Sequence, residues 1–126
     1  MPHLLSAHRR ESPLTTLTIE RTGEPLATTL EIAMDSGQRK KGLLGRDNLD
    51  PGHAFVIAPC QGIHTFGMRF PIDVIAVSRD GTVVKTRTNV RPNRIVLAWS
   101  AFAIIELRAN SLCAPRLLVG DRIRFR

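Results

Sequence analysis

Asp80-Gly81 lies between two apolar runs, Asp73 to Ser78 and Thr82 to Val90. Asp-Gly supplies the left-handed backbone that a tight hairpin turn demands, so the pair makes these runs antiparallel neighbours. The first run is apolar on both faces and reads as a strand in the middle of a sheet. Other short runs follow the same pattern. Leu17 to Arg21, Leu26 to Ala33, Ala54 to Ala58, Ile95 to Trp99, Phe102 to Leu107 and Arg122 to Arg126 each read as a strand. Turn signals separate them at Thr22-Gly23-Glu24-Pro25, Asp50-Pro51-Gly52, Arg91-Pro92-Asn93-Arg94 and Asn110 to Pro115. The first two strands are expected to form a hairpin. Pro59 to Gly67, broken by Gly62 and Gly67, reads as irregular chain.

One helix interrupts this pattern. Asp35 is a candidate N-cap with Gln38 in the capping-box position, and Gly45 a candidate C-terminal stop. The spacing predicts a helix over 36–44, with Arg39-Lys40-Lys41 in water and Leu43 and Leu44 on the core. The expected fold is mainly β (a β-rich α+β class): a small barrel-like or sandwich fold of about seven or more short strands with that one helix.

A chain of 126 residues fits one domain, expected over 15–126, with 1–14 as a flexible tail. The hydrophobic share of 43% and charged share of 23% are ordinary globular values and exclude disordered and fibrous classes. No apolar run approaches the roughly 20 residues of a membrane-spanning helix. Arg9 and Arg10 are not followed by a long apolar stretch, so no signal peptide is read and the cytoplasm is the expected compartment. Cys60 and Cys113 form no C-x-x-C pair, which argues against a disulfide framework or a zinc ribbon.

The net charge of +7 is unevenly placed. Residues 81–126 hold nine Lys and Arg against only Glu106 and Asp121, while residues 1–80 balance. Arg87, Arg91, Arg94, Arg108, Arg116, Arg122, Arg124 and Arg126 are expected mostly at the surface. In 122–126 the alternation of Arg with Ile123 and Phe125 suits an edge strand that must not pair with a neighbour. A docking face for a polyanion is the alternative. Few aromatic side chains are available to stack bases, which disfavours nucleic acid.

Chemistry could come from three groupings. Cys60, His64 and Met68 are four apart and could offer soft donors to Cu(I); the plain structural reading is a small buried Cys, a hydrogen-bonded His and a core Met. Cys60 with His64 could be a nucleophile and its base, with the Thr65 region supplying oxyanion donors. Asp73 and Glu106 are carboxylates inside apolar strands, where an unpaired charge is costly. Candidate partners are Arg39, Arg46, His64 and loop N–H groups. Either the carboxylates clamp structure or they line a pocket with shifted pKa values.

Arg39-x-x-Gly42-Leu43-x-x-Arg46, Pro71-Ile72-Asp73 with its apolar strand and Asp80-Gly81, Glu106-Leu107, and Val119-Gly120-Asp121 together resemble the bacterial and archaeal family called domain of unknown function 192, over about residues 26–126. The resemblance implies a compact, mainly β fold with a short helix, and brings no established activity, cofactor or partner. Many members look exported or lipid-anchored. Much of the family carries Trp-Met-Lys-Asn-Thr where this chain has His64-Thr65-Phe66-Gly67-Met68. His64 thus replaces a Trp and Met68 a Thr, so chemistry needing Cys60, His64 or Met68 would belong to this branch alone. Asn110 stands where Gly is common, and Asn tolerates the left-handed backbone.

These readings lead to a non-catalytic binding module for a small polar ligand or a protein segment, with a pocket formed by Arg46, His64, Thr65, Asp73 and Glu106. The alternatives are a Cys/His-dependent hydrolase or transferase using Cys60 and His64, and polyanion or nucleic-acid binding by the basic half. No cofactor is expected, and the sequence does not specify an oligomeric state.

Overall fold

A computed structural model describes residues 16–33, 35–112 and 116–125. The expectations for the N-terminal tail, Cys113 and Arg126 fall outside the described residues. Ten strands and one helix follow in order: β1 (Leu17–Ile19), β2 (Pro25–Ala27), β3 (Thr29–Ala33), α1 (Ser36–Lys41), β4 (His53–Ile57), β5 (Gly62–His64), β6 (Ile72–Val77), β7 (Val83–Val90), β8 (Ile95–Leu97), β9 (Ala103–Arg108) and β10 (Ile123–Phe125). They form a five-stranded sheet ordered β3-β4-β9-β6-β7, a three-stranded sheet ordered β10-β1-β2, and a β5-β8 ribbon. The mainly β expectation holds. Of the two architectures expected, the arrangement is sandwich-like and not a closed barrel.

The Asp80-Gly81 hairpin joins β6 to β7, antiparallel as expected. Gly81 has φ 87. The Asp80 carboxylate accepts from Ser78 Oγ at 2.6 Å, Thr82 Oγ1 at 2.8 Å and Thr82 N at 3.1 Å. Those hydrogen bonds to its charged form hold the Asp80 carboxyl down at about 2. β1 and β2 also pair antiparallel, the other expected hairpin.

Three local expectations are corrected. The run Leu26 to Ala33 is not one strand. Thr28 N and Thr29 N both donate to Gly52 O, at 2.8 and 3.1 Å, and the chain passes there from the three-stranded sheet to the five-stranded one. The helix ends at Gly42, not near 44. Asp35 caps its start by accepting from Gln38 N at 2.8 Å, but Gly42 adopts φ 50 and donates to Gln38 O at 2.9 Å, which stops the helix a turn early. Finally, β5 lies inside the stretch read as irregular; its pairing partner, β8, is some thirty residues away in sequence.

Both faces of the five-stranded sheet are buried. On one face Val56, Ile75, Val77, Ile105 and Leu107 pack with Leu17, Ile19 and Ile123 of the three-stranded sheet. On the other, Phe55, Ile57, Val74 and Ile104 pack against Leu43, Leu49, Met68 and Val96. That second layer comes from the post-helix loop and the ribbon. It is thinner and less regular than a sheet, and it leaves room for a cavity.

Candidate functional site

Strand alternation decides where the two buried carboxylates point. Asp73 shares parity with Ile75 and Val77, and so faces the three-stranded sheet. Glu106 shares parity with Ile104 and faces the post-helix loop and ribbon. The strands are adjacent, with Asp73 opposite Leu107 and Val74 opposite Glu106, yet the two carboxylates lie on opposite faces.

Asp73 is fully buried and fully engaged. One carboxylate oxygen accepts from Asn89 N and the other from Leu112 N, both at 2.8 Å. It ties the bulge of β7 at Asn89 and the turn after β9 at Leu112 to β6. Asn89, at φ 50, and Asn110, at φ 72, both adopt the left-handed backbone.

Glu106 is only 3% exposed, and its Oε1 has no hydrogen-bond partner among the described residues. Burial pushes its carboxyl up to about 7, with the Arg46 guanidinium pulling the other way. The side chain is part of the lining of a cavity of about 200 Å³. Leu43, Ile57, Ile63 and Met68 form apolar walls; Cys60 and His64 lie on the lining; Arg39, Lys40 and Lys41 from the last turn of α1 edge it. Wider depressions of about 550 Å³ beside Pro25 and about 620 Å³ beside Pro59 are lined by no buried carboxylate.

The remaining expected site residues are distributed as follows. Arg46 makes a two-pronged ion pair with Glu31, at 2.8 and 2.6 Å, and covers the Phe55 ring. Hydrogen bonding to Arg46 holds the Glu31 carboxyl below its ordinary range. Thr65 is buried, with its hydroxyl donating to Arg91 O at 2.7 Å and accepting from Arg94 N at 2.9 Å, so it fastens the ribbon to a loop. His64 is exposed and stacks on Phe66; its Nδ1 accepts from Phe66 N at 3.3 Å. Of the five residues expected to share a pocket, Glu106 and His64 line this cavity, while Arg46, Thr65 and Asp73 do not.

Cys60 is a half-buried free thiol that donates to Gly62 O at 3.0 Å. Burial pushes its pKa up, and the Glu106 carboxylate acts in the same direction. No hydrogen bond joins Cys60 to His64 among the described residues. Cys60, His64 and Met68 do line one cavity, although no group of three or more His, Cys, Asp and Glu placed to hold a metal occurs among the described residues.

Sequence reasoning missed the apolar walls and the basic edge. Arg39-Lys40-Lys41 reads as a solvated charge run, yet the three residues and Gly42, where the helix stops, are part of the cavity lining. The signal available was Gly42 itself, a glycine three residues before the one taken as the stop.

A two-faced β sandwich with a small cavity floored by one buried acid is thus the class of protein defined here. The chain belongs to the DUF192 family (Uncharacterized ACR, COG1430), whose model matches residues 17–125. Two solved structures share the fold. One is a Sinorhizobium meliloti 1021 protein described as a "putative transcription regulator", with 23% identity, TM-score 0.76, and 87% of this chain and 90% of that one covered. The other is a Novosphingobium aromaticivorans DSM 12444 protein of unknown function, with 21% identity, TM-score 0.76, and 86% and 83% covered. No curated protein matches the chain.

Proposed function

We propose that this domain is a non-catalytic binding module that takes a small polar molecule into the cavity floored by Glu106. The observation that carries the reading is the Oε1, without a partner among the described residues, of a buried carboxyl whose side chain lines a cavity. A buried polar atom without a partner costs about 1–3 kcal/mol, and a ligand donor group would remove that cost. The room available favours a small molecule over a protein segment.

The enzymatic alternative, with Cys60 as nucleophile and His64 as base, has less support. An activated thiol needs a lowered pKa, and burial pushes this one the other way. Polyanion binding also has less support, because several cations of the basic half are already engaged. Arg122 pairs with Asp80 at 3.2 Å, and Arg116 and Arg124 lie 3.7 Å from Glu24 and Glu20.

The test is a thermal-shift screen of metabolites, sugars and short peptides against wild type and Glu106→Gln. A compound class that raises the wild-type Tm and loses its effect in the variant supports the reading. No shift with any class overturns it, as does a shift unchanged by the substitution.

A further inference from the structure

We infer that the ligand of this cavity is a short ω-amino carboxylate, with its ammonium on Glu106 and its carboxylate at Arg39, Lys40 and Lys41. The inference rests on the cavity reading above and adds the ligand's chemistry. It follows from how charge is distributed with depth. The buried side of the lining holds Glu106 Oε1, which no hydrogen-bond donor meets among the described residues. A ligand donor meets that oxygen, and an ammonium does so while bringing the charge that favours the ionised carboxylate.

The outer end has the opposite polarity. Three consecutive cations edge the mouth; Lys40 and Lys41 are exposed and Arg39 is half-buried. None of the three is in a described salt bridge, whereas Arg46, just beyond, is bound to Glu31. An anionic group at the mouth would meet these cations without being drawn from water. Between the two ends the wall is apolar, formed by Leu43, Ile57, Ile63 and Met68. Methylene groups fit that stretch, and a second polar group there would be buried without a partner. An α-amino acid with an uncharged side chain carries both charges at one end and cannot span this arrangement.

Size agrees. A cavity of about 200 Å³ holds roughly six or seven water-sized groups at ~30 Å³ each. An ammonium, three methylenes and a carboxylate make a molecule of that size.

The probes are 4-aminobutanoate, butylamine, butanoate and alanine, titrated into the intact protein by calorimetry and followed by amide NMR shifts at Gly42 and Gly62. We expect 4-aminobutanoate to bind at least tenfold tighter than the other three. Glu106→Gln should remove most of that advantage over butanoate, and Lys40→Gln with Lys41→Gln most of the advantage over butylamine. Because the NMR shifts are read on wild type, poor folding of a variant would not remove the test. Butylamine or butanoate binding as tightly as 4-aminobutanoate overturns the zwitterion assignment and leaves the cavity reading standing. Alanine binding best overturns the ω spacing. If none of the four moves the cavity amides while another class in the thermal-shift screen acts through Glu106, the ligand class alone is wrong. If no compound of any class does so, both readings fail.

Discussion

The two faces of the central sheet treat the same problem in opposite ways. Each buries one carboxylate among branched apolar side chains, one strand apart. On the face covered by the three-stranded sheet, Asp73 meets two backbone N–H groups, one from the bulge of β7 and one from the turn after β9. On the face covered by the post-helix loop and ribbon, Glu106 keeps an oxygen without a partner beside a cavity. A regular second sheet fills its layer with side chains. A layer made of a short helix, a loop and a three-residue ribbon leaves space. The difference separates a carboxylate tied into the fold by two hydrogen bonds from one with an oxygen unmet among the described residues.

The largest effect that would break this comparison is expected at Asp73. Asp73→Ala removes the acceptor from two N–H groups, one of them buried, and should cost about 3 kcal/mol or more in urea unfolding. Asp73→Asn keeps one acceptor and should recover part of the loss. If Asp73→Ala were as mild as the equivalent change at Glu106, the contrast between the faces would not exist.

The next effect is a pH dependence centred on Glu106. Its carboxyl stands near 7 in the folded chain against an ordinary value of 4.5, so the folded state holds its proton longer than the unfolded state. The stability this contributes is present below 4.5 and is lost as pH rises through about 7. The loss should approach 3 kcal/mol, at about 1.4 kcal/mol per pH unit. Arg46 opposes the shift. Glu106→Gln should flatten unfolding free energy between pH 4.5 and 8. An unchanged slope in that variant would place the effect elsewhere. Asp80, Asp121 and Glu31 are held low by their hydrogen bonds, so their contributions are lost only toward acid.

A smaller effect sharpens the account of the ribbon. A Cβ on Gly62 would stand 2.8 Å from Leu97 Cδ2 and 3.2 Å from Val96 O. The leucine tip can turn aside, but the carbonyl moves only with the backbone. Gly62→Ala should cost about 1–2 kcal/mol and broaden amide signals of β5 and β8 before those of β6 and β9. Uniform broadening would show that the ribbon is not a separate, weaker layer.

The smallest effect is expected at Arg46. Both partners of its ion pair with Glu31 are more than a third exposed, at 35% and 38%. Arg46→Gln should cost about 1 kcal/mol or less, and less still in salt. A larger loss would mean that Arg46 acts through Glu106 as well.

Sequence alone determined what local chemistry controls. Asp80-Gly81 made a hairpin because its turn needs only neighbouring atoms, and Asp35 capped α1 for the same reason. The run Asp73 to Ser78, apolar on both faces apart from its acid, became an interior strand, and Phe102 to Leu107 became the core of β9. Arg124 lies exposed on β10, an edge strand of its sheet, where alternation with Ile123 placed it. The tertiary structure decided whatever needed a distant atom. Thr28 breaks a continuous alternation because Gly52 O, far along the chain, takes its hydrogen bond. Parity within a strand is readable, but only pairing register says which face that parity meets, so Asp73 and Glu106 look equivalent in sequence and lie on opposite sides. The cavity depends on both: a glycine that stops the helix at 42, and a ribbon whose two strands find each other only once the sheet is built.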